Sequence, residues 1–143
     1  MSFFDSLEIA VSALKAERLR VDLASANLAN ANATRSAEGG PYRRRDAVLQ
    51  SVPQSRGFGS ELQRAVQAVR VRSIVLDPRP PREVFNPSHP DADEKGIVRL
   101  PNVSIVEETV NLMNASRSYE ANIAAINVGR EMADRAMRMG KSR

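Results

Sequence analysis

Apolar residues recur on alternating four- and three-residue steps at both ends of the chain, and the pattern between them is different in kind. Near the N-terminus Leu7, Val11, Leu14, Val21 and Leu28 keep this spacing, with Arg18 and Ser25 filling the two polar slots. Residues three and four apart share one face of an α-helix. The spacing therefore predicts a helix from about Phe4 to Asn30 carrying a heptad seam, with Ala10, Ala13, Ala24 and Ala26 keeping its flanks thin. Such a helix extends roughly 40 Å, and it cannot bury a one-sided stripe alone. It needs a partner.

The C-terminal segment offers one. From Ile105 the seam runs through Thr109, Leu112, Ser116, Tyr119, Ile123, Ile126, Arg130, Ala133 and Met137, and Val106, Val110 and Met113 are expected to widen its first turns. Asn102 or Ser104 suits the N-cap after Pro101, Glu107 and Glu108 suit the helix dipole, and Gly140 suits the C-terminal end. Polar residues interrupt both seams, which lowers stability and fixes register. The expected fold is mainly α with a small β-rich insertion, its long terminal helices pairing as an antiparallel coiled-coil hairpin.

All eight prolines and five of the seven glycines fall between residues 39 and 101, so this middle cannot be long helix. Tyr42 to Val52, Ala68 to Leu76, Val84-Phe85 and Gly96 to Leu100 read as short strands. Residues 53–67 read as a loop with a helical turn. Three segments follow: an N-terminal coiled-coil helix in 1–34, a central β-rich or extended region in 35–101, and a C-terminal coiled-coil helix in 102–143.

Composition narrows the function. The 143 residues contain no cysteine, no tryptophan and one histidine. Thiolate chemistry, disulfides and histidine-rich metal sites are therefore excluded. The net charge of +4 is concentrated in residues 35–101, where basic and acidic groups are mixed and Arg43-Arg44-Arg45 is the one run. That run supports an alternative reading as a basic helical adaptor for nucleic acid or an anionic surface. No stretch approaches the roughly 18 apolar residues of a membrane span. The first basic residue, Lys15, follows Asp5 and Glu8, unlike the start of a cleaved signal peptide.

Asp91 to Gly96 begins like a calcium loop, but Lys95 stands at a ligand position and Asn102 where a bidentate Glu is required. It reads as a solvated turn. His89 sits in a proline-rich loop and reads as a turn residue. Gly57-Phe58-Gly59 lacks the strand–helix context of a phosphate loop. Asp77 with Glu83, and Glu107 with Glu108, read as charged solvent faces. No catalytic, metal or cofactor site is expected, and no enzyme.

The stretch Ala24 to Thr34 stands apart, with Asn27, Asn30 and Asn32 interleaved among small residues where the heptads end. Asparagine there either ends a helix or makes a close, register-fixing contact with another chain. The Ala26-Asn27-Leu28-Ala29-Asn30-Ala31 motif resembles the N-terminal signature of the flagellar rod and hook axial proteins. Segments VRSIVLDPRPP (71–81), FNPSHPDADEKG (85–96), LPNVSIVEE (100–108) and NASRSYEAN (114–122) are similar to those of the family's proximal rod members. The resemblance implies a structural subunit of the basal-body rod in the periplasm. Such a subunit is exported through the flagellar type III apparatus without a cleaved signal and polymerises through its terminal helices. Implied partners are copies of itself, other rod proteins, the MS-ring and the export apparatus, with no nucleic acid, no membrane insertion and no cofactor. The expected assembly interface is Leu7, Val11, Leu14, Val21, Asn27, Leu28 and Asn30 on one helix and Leu112, Ser116, Tyr119, Ile123 and Ile126 on the other.

Overall fold

A computed structural model of the chain describes residues 3–37, 39–53 and 67–141. The order of elements is α1 (Phe3–Ala29), β1 (Arg45–Pro53), β2 (Gln67–Leu76), β3 (Arg82–Phe85), β4 (Ile97–Leu100) and α2 (Ile105–Lys141). Both helices and all four strands lie where the apolar spacing and the prolines place them. The helical turn expected within residues 53–67 and the Gly57-Phe58-Gly59 segment fall outside the described residues, apart from Pro53 and Gln67, which belong to strands.

The helix ends have local causes. Asn30 donates to the Ala26 carbonyl twice, from its backbone N–H at 3.1 Å and from Nδ2 at 2.8 Å, so its side chain reinforces the last turn of α1. At the start of α2, Ser104 Oγ accepts the Glu107 N–H at 3.3 Å, so Ser104 is the N-cap of the two candidates. Glu107 and Glu108 occupy its first turn, where the dipole favours acids.

Strands β1 and β2 form one two-stranded sheet and β3 and β4 another. The second pair is antiparallel, with Arg82 opposite Leu100, Val84 opposite Val98 and Phe85 opposite Ile97. Gly96 closes its connection at φ +73°, and a Cβ there would lie 2.9 Å from Pro87 Cγ. The Asn86 N–H donates to the Gly96 carbonyl at 2.8 Å across this turn.

Contacts group the chain into two compact units. One comprises Arg20–Val48 and Ser73–Met113. Its interior is small and partly polar: Ala24, Ala31, Val98 and Val103 are buried, together with Asn27 and Glu108. The other comprises the described residues of 1–19, 49–72 and 114–143. Ala16 and Ala115 are buried in it. Ser12 there donates to the Ile9 carbonyl at 2.7 Å and accepts the Val69 N–H at 3.1 Å, tying β2 to α1.

Buried positions follow the alanines more than the seam. Among the described residues of α1 the buried ones are Ala16, Ala24 and Asn27, followed just beyond the helix by Ala31, one line over from Leu14, Val21 and Leu28. In α2 the inward line is Glu108 and Ala115, while Ile105 is 52% exposed and Val106, Val110 and Met113 stand at 50% or more. The widening of the first turns by these three residues is therefore corrected: they face outward. The reason is polar, because Glu108 finds partners inside and turns the first turns of α2 with it.

Candidate functional site

Among the described residues, the largest fully buried side chains are Glu108, Asn27 and Pro101. Two of these three are polar, and burying a carboxylate is costly unless it is paired and hydrogen-bonded. Both conditions are met. Asn27 comes from the last turns of α1, Glu108 from the first turn of α2, and Tyr42, Arg44 and Arg45 from the segment leading into β1.

The amide of Asn27 has two donors and two acceptor positions, and all four are filled within the chain. Nδ2 donates to the Arg45 carbonyl at 2.8 Å and to Glu108 Oε2 at 2.8 Å. Oδ1 accepts from Tyr42 Oη at 2.9 Å and from the Arg45 N–H at 2.9 Å. Asn27 thereby acts on Arg45 as a neighbouring strand would, meeting both its backbone groups. No residue of different shape supplies this: Ala lacks the groups, and Asp has no donor for Glu108.

Glu108 is held from the other side by Arg44, whose Nε donates to Oε1 at 2.8 Å, and Asn111 Nδ2 reaches the same oxygen at 3.3 Å. Arg44 also reaches Asp46 at 2.9 Å. Burial opposes the Arg44 charge, but its hydrogen bonds to Asp46 and Glu108 outweigh burial and raise its pKa. Burial also pushes the Tyr42 phenol up, against the lowering effect of Arg45. The Arg45 guanidinium lies 5.8 Å from the Tyr42 ring centre. A polar cavity of about 100 Å³ adjoins the node, lined among others by Arg20, Asn27 and Asn111.

Within the arginine run the Arg44 guanidinium is held by Glu108 and Asp46 and that of Arg43 donates to the Asp77 carbonyl at 2.9 Å, while Arg45 meets Asn27 through its backbone and sets its guanidinium near the Tyr42 ring. The Asp91 to Gly96 turn is similarly occupied. Thr34 donates to Asp91 at 2.6 Å and Arg35 pairs with it, so its carboxyl is held below its ordinary range. Asp93 accepts the N–H groups of Ile97 and Lys95 at 2.9 Å each, which lowers its pKa as well. His89 Nδ1 accepts the Asp91 N–H at 3.0 Å.

Of the residues expected at an assembly interface, Asn27 is buried and Ile123 is 38% exposed. Leu7, Val11, Leu14, Val21, Leu28, Asn30, Leu112, Ser116, Tyr119 and Ile126 are half-buried. The sequence reading did not single out Tyr42 or Asn111, took Arg44 only as a member of the basic run, and took Glu108 for a solvent-facing acid. A signal for Glu108 existed: with Leu112, Ala115 and Tyr119 it keeps the same four-and-three spacing as the seam.

Comparison with known proteins reaches both helices and the region between them. A family model described as flagella basal body rod protein matches residues 7–35. A second, described as flagellar basal body rod FlgEFG protein C-terminal, matches residues 94–139. The flagellar basal-body rod protein FlgC of Borreliella burgdorferi is 41% identical, over 92% of this chain and 93% of its own. FlgC of Yersinia enterocolitica is 39% identical over 99% of this chain and 100% of its own, and that of Bacillus subtilis 40% over the same shares. Two family models in the right order and relatives matched along nearly their whole length agree: the chain belongs to the FlgC family of flagellar basal-body rod proteins.

Proposed function

We propose that the protein is a structural subunit of the proximal rod of the bacterial flagellar basal body, and not an enzyme. Its relatives are named flagellar basal-body rod proteins, and their likeness over nearly the whole chain is the observation that carries the reading. In this reading the helices of segments 1–34 and 102–143 form the assembly surface, and 35–101 is the intervening β-rich region. The terminal helices pair as an antiparallel hairpin and pack against other copies and other rod proteins. The half-buried state of Leu7, Leu14, Val21, Leu112 and Ile126 supports this, because each retains apolar surface for a neighbour.

The rod would lie in the periplasm, reached through the flagellar export apparatus without a cleaved signal, with the MS-ring and that apparatus at its base. Among the described residues no helix is long and apolar enough to cross a membrane. Arg44, the least exposed of the arginine run, is held by Glu108 and Asp46, and the rod-protein relatives give the nucleic-acid adaptor no support.

Leu14→Asp or Ile126→Asp tests the reading in a motile strain. A charge placed in a seam loses water without gaining a partner, at a cost of several kcal/mol. Rods and motility should be lost while the variant is still exported. Normal rods from either strain would overturn the assignment of these seams.

A further inference from the structure

Asp77–Pro78 is the one aspartyl–prolyl bond in the chain, and such a bond is chemically weak. The aspartate carboxylate can reach its own main-chain carbonyl carbon through a five-membered ring. The bond to proline is a tertiary amide, whose nitrogen is more basic than an ordinary peptide nitrogen and leaves more readily once protonated. In mild acid such a chain breaks itself at this bond unless the carboxylate is restrained.

The structure holds Asp77 at each of its polar groups, with residues of one compact unit. Its N–H donates to the Arg44 carbonyl at 2.8 Å, and its carbonyl oxygen accepts from Arg43 Nη2 at 2.9 Å. Its side chain is 10% exposed, and Arg79 grips both carboxylate oxygens. Arg79 Nε lies 3.0 Å from Oδ1 and 2.9 Å from Oδ2, its Nη2 lies 2.6 Å from Oδ2, and its backbone N–H donates to Oδ1 at 2.9 Å. The two arginines act in opposite senses. Arg43 donates to the oxygen that becomes negative when the carbonyl is attacked, which favours attack. Arg79 ties down the attacking group through charge-assisted bonds that must break before either oxygen can move. We propose that Asp77–Pro78 is a self-cleavage site of this chain, activated by Arg43 and held shut by Arg79.

The chemistry balances with solvent alone. A carboxylate oxygen of Asp77 bonds to the Asp77 main-chain carbonyl carbon, the bond from that carbon to the Pro78 nitrogen breaks, and the nitrogen leaves with a proton taken from solvent. The cyclic anhydride left on residue 77 takes up one water and opens to two carboxyl groups, releasing a proton. The cut falls between β2 and β3 and separates α1 from α2. A smaller share of carboxylate cannot be what protects the folded chain. Its Asp77 carboxyl is held down to about 2 against an ordinary 3.8, so near pH 4 the folded chain carries more of the reactive form than the unfolded one. Restraint by Arg79 is what remains. None of this rests on the rod reading.

The experiment follows the purified full-length chain at about pH 4 by mass spectrometry, counting fragments 1–77 and 78–143, with circular dichroism reporting the fold. The folded parent should cleave about tenfold more slowly than the same chain unfolded in urea; equal rates overturn the proposal. Arg79→Gln frees the carboxylate while Arg43 stays on the carbonyl, so it should cleave faster than even the unfolded parent. Unfolding caused by the substitution could not give that result, and a rate at or below that of the unfolded parent overturns the proposal. Arg79→Gln combined with Arg43→Gln should fall back to the unfolded rate. A double variant as fast as the single would overturn the role of Arg43.

Discussion

Replacing Asn27 with Ala tests the buried node most directly. The substitution removes four hydrogen bonds of 2.8 to 2.9 Å in a side chain that is 1% exposed. Tyr42 can rotate its hydroxyl elsewhere, and Glu108 retains Arg44 and Asn111. The Arg45 N–H and carbonyl have no such freedom, and each stranded buried group costs about 1–3 kcal/mol. Water entering from the adjoining cavity of about 100 Å³ offsets part of this. The expected net loss is about 3 kcal/mol, read as a lowered midpoint in urea at unchanged slope. Ala is the better helix former, so if the amide merely ended the helix the variant would be as stable as the parent. A loss below about 1 kcal/mol would refute the reasoning. Asn27→Asp sharpens the test, because it sets a second carboxylate against Glu108. The folded state then holds its proton more tightly than the unfolded one. The deficit of this variant should therefore grow as pH rises from 5 to 7 and shrink as pH falls.

Gly96→Ala should cost about 2–4 kcal/mol, combining a left-handed φ of +73° with a Cβ 2.9 Å from Pro87 Cγ; thermal unfolding at parental stability would contradict this. Hydrogen bonds from Arg79, its side chain and backbone, hold the Asp77 carboxyl down to about 2. The stabilisation from that pairing should be complete above its ordinary value of 3.8 and lost as pH falls through about 2. A carboxyl titration followed by NMR should find a midpoint well below the ordinary range, moving back toward it in Arg79→Gln. Ser104→Ala removes the N-cap of α2 and should cost about 1 kcal/mol, with the first backbone amides of the helix exchanging faster; unchanged exchange would argue against the cap.

The helices were legible because their spacing and the confinement of proline act locally. Strand positions were legible for the same reason, from runs such as AVRVRSIVL between breakers. Pairing was not, since nothing in GIVRL names REVF as its partner across the 86–96 connection. The node was hidden for a different reason. Asn27 and Glu108 each offered one ordinary reading, a helix end and a dipole-facing acid respectively, and both are true of their backbone positions. What decides their environment is each other and Arg44, residues whose proximity depends on the completed fold. Hydrophobic pattern assigns polar residues to the outside by default, and that default put Ile105 and Val106 inward and Glu108 outward.

The separations within the node imply an order of events. Asn27 and Arg45 are 18 positions apart, whereas Asn27 and Glu108 are 81 apart. Closing the longer loop costs about 1.3 kcal/mol more in chain entropy. On a ribosome the N-terminal partners emerge together, and Asn27 can meet Tyr42 and Arg45 while one of its four hydrogen-bonding positions still faces water. The donor reserved for Glu108 stays solvated until most of the chain has been made. Folding of this unit is therefore gated by its last-arriving member. A chain cut short before residue 108 would leave Arg44 with Asp46 alone, and a nascent chain would remain open, and susceptible to proteases and partners, for most of its synthesis.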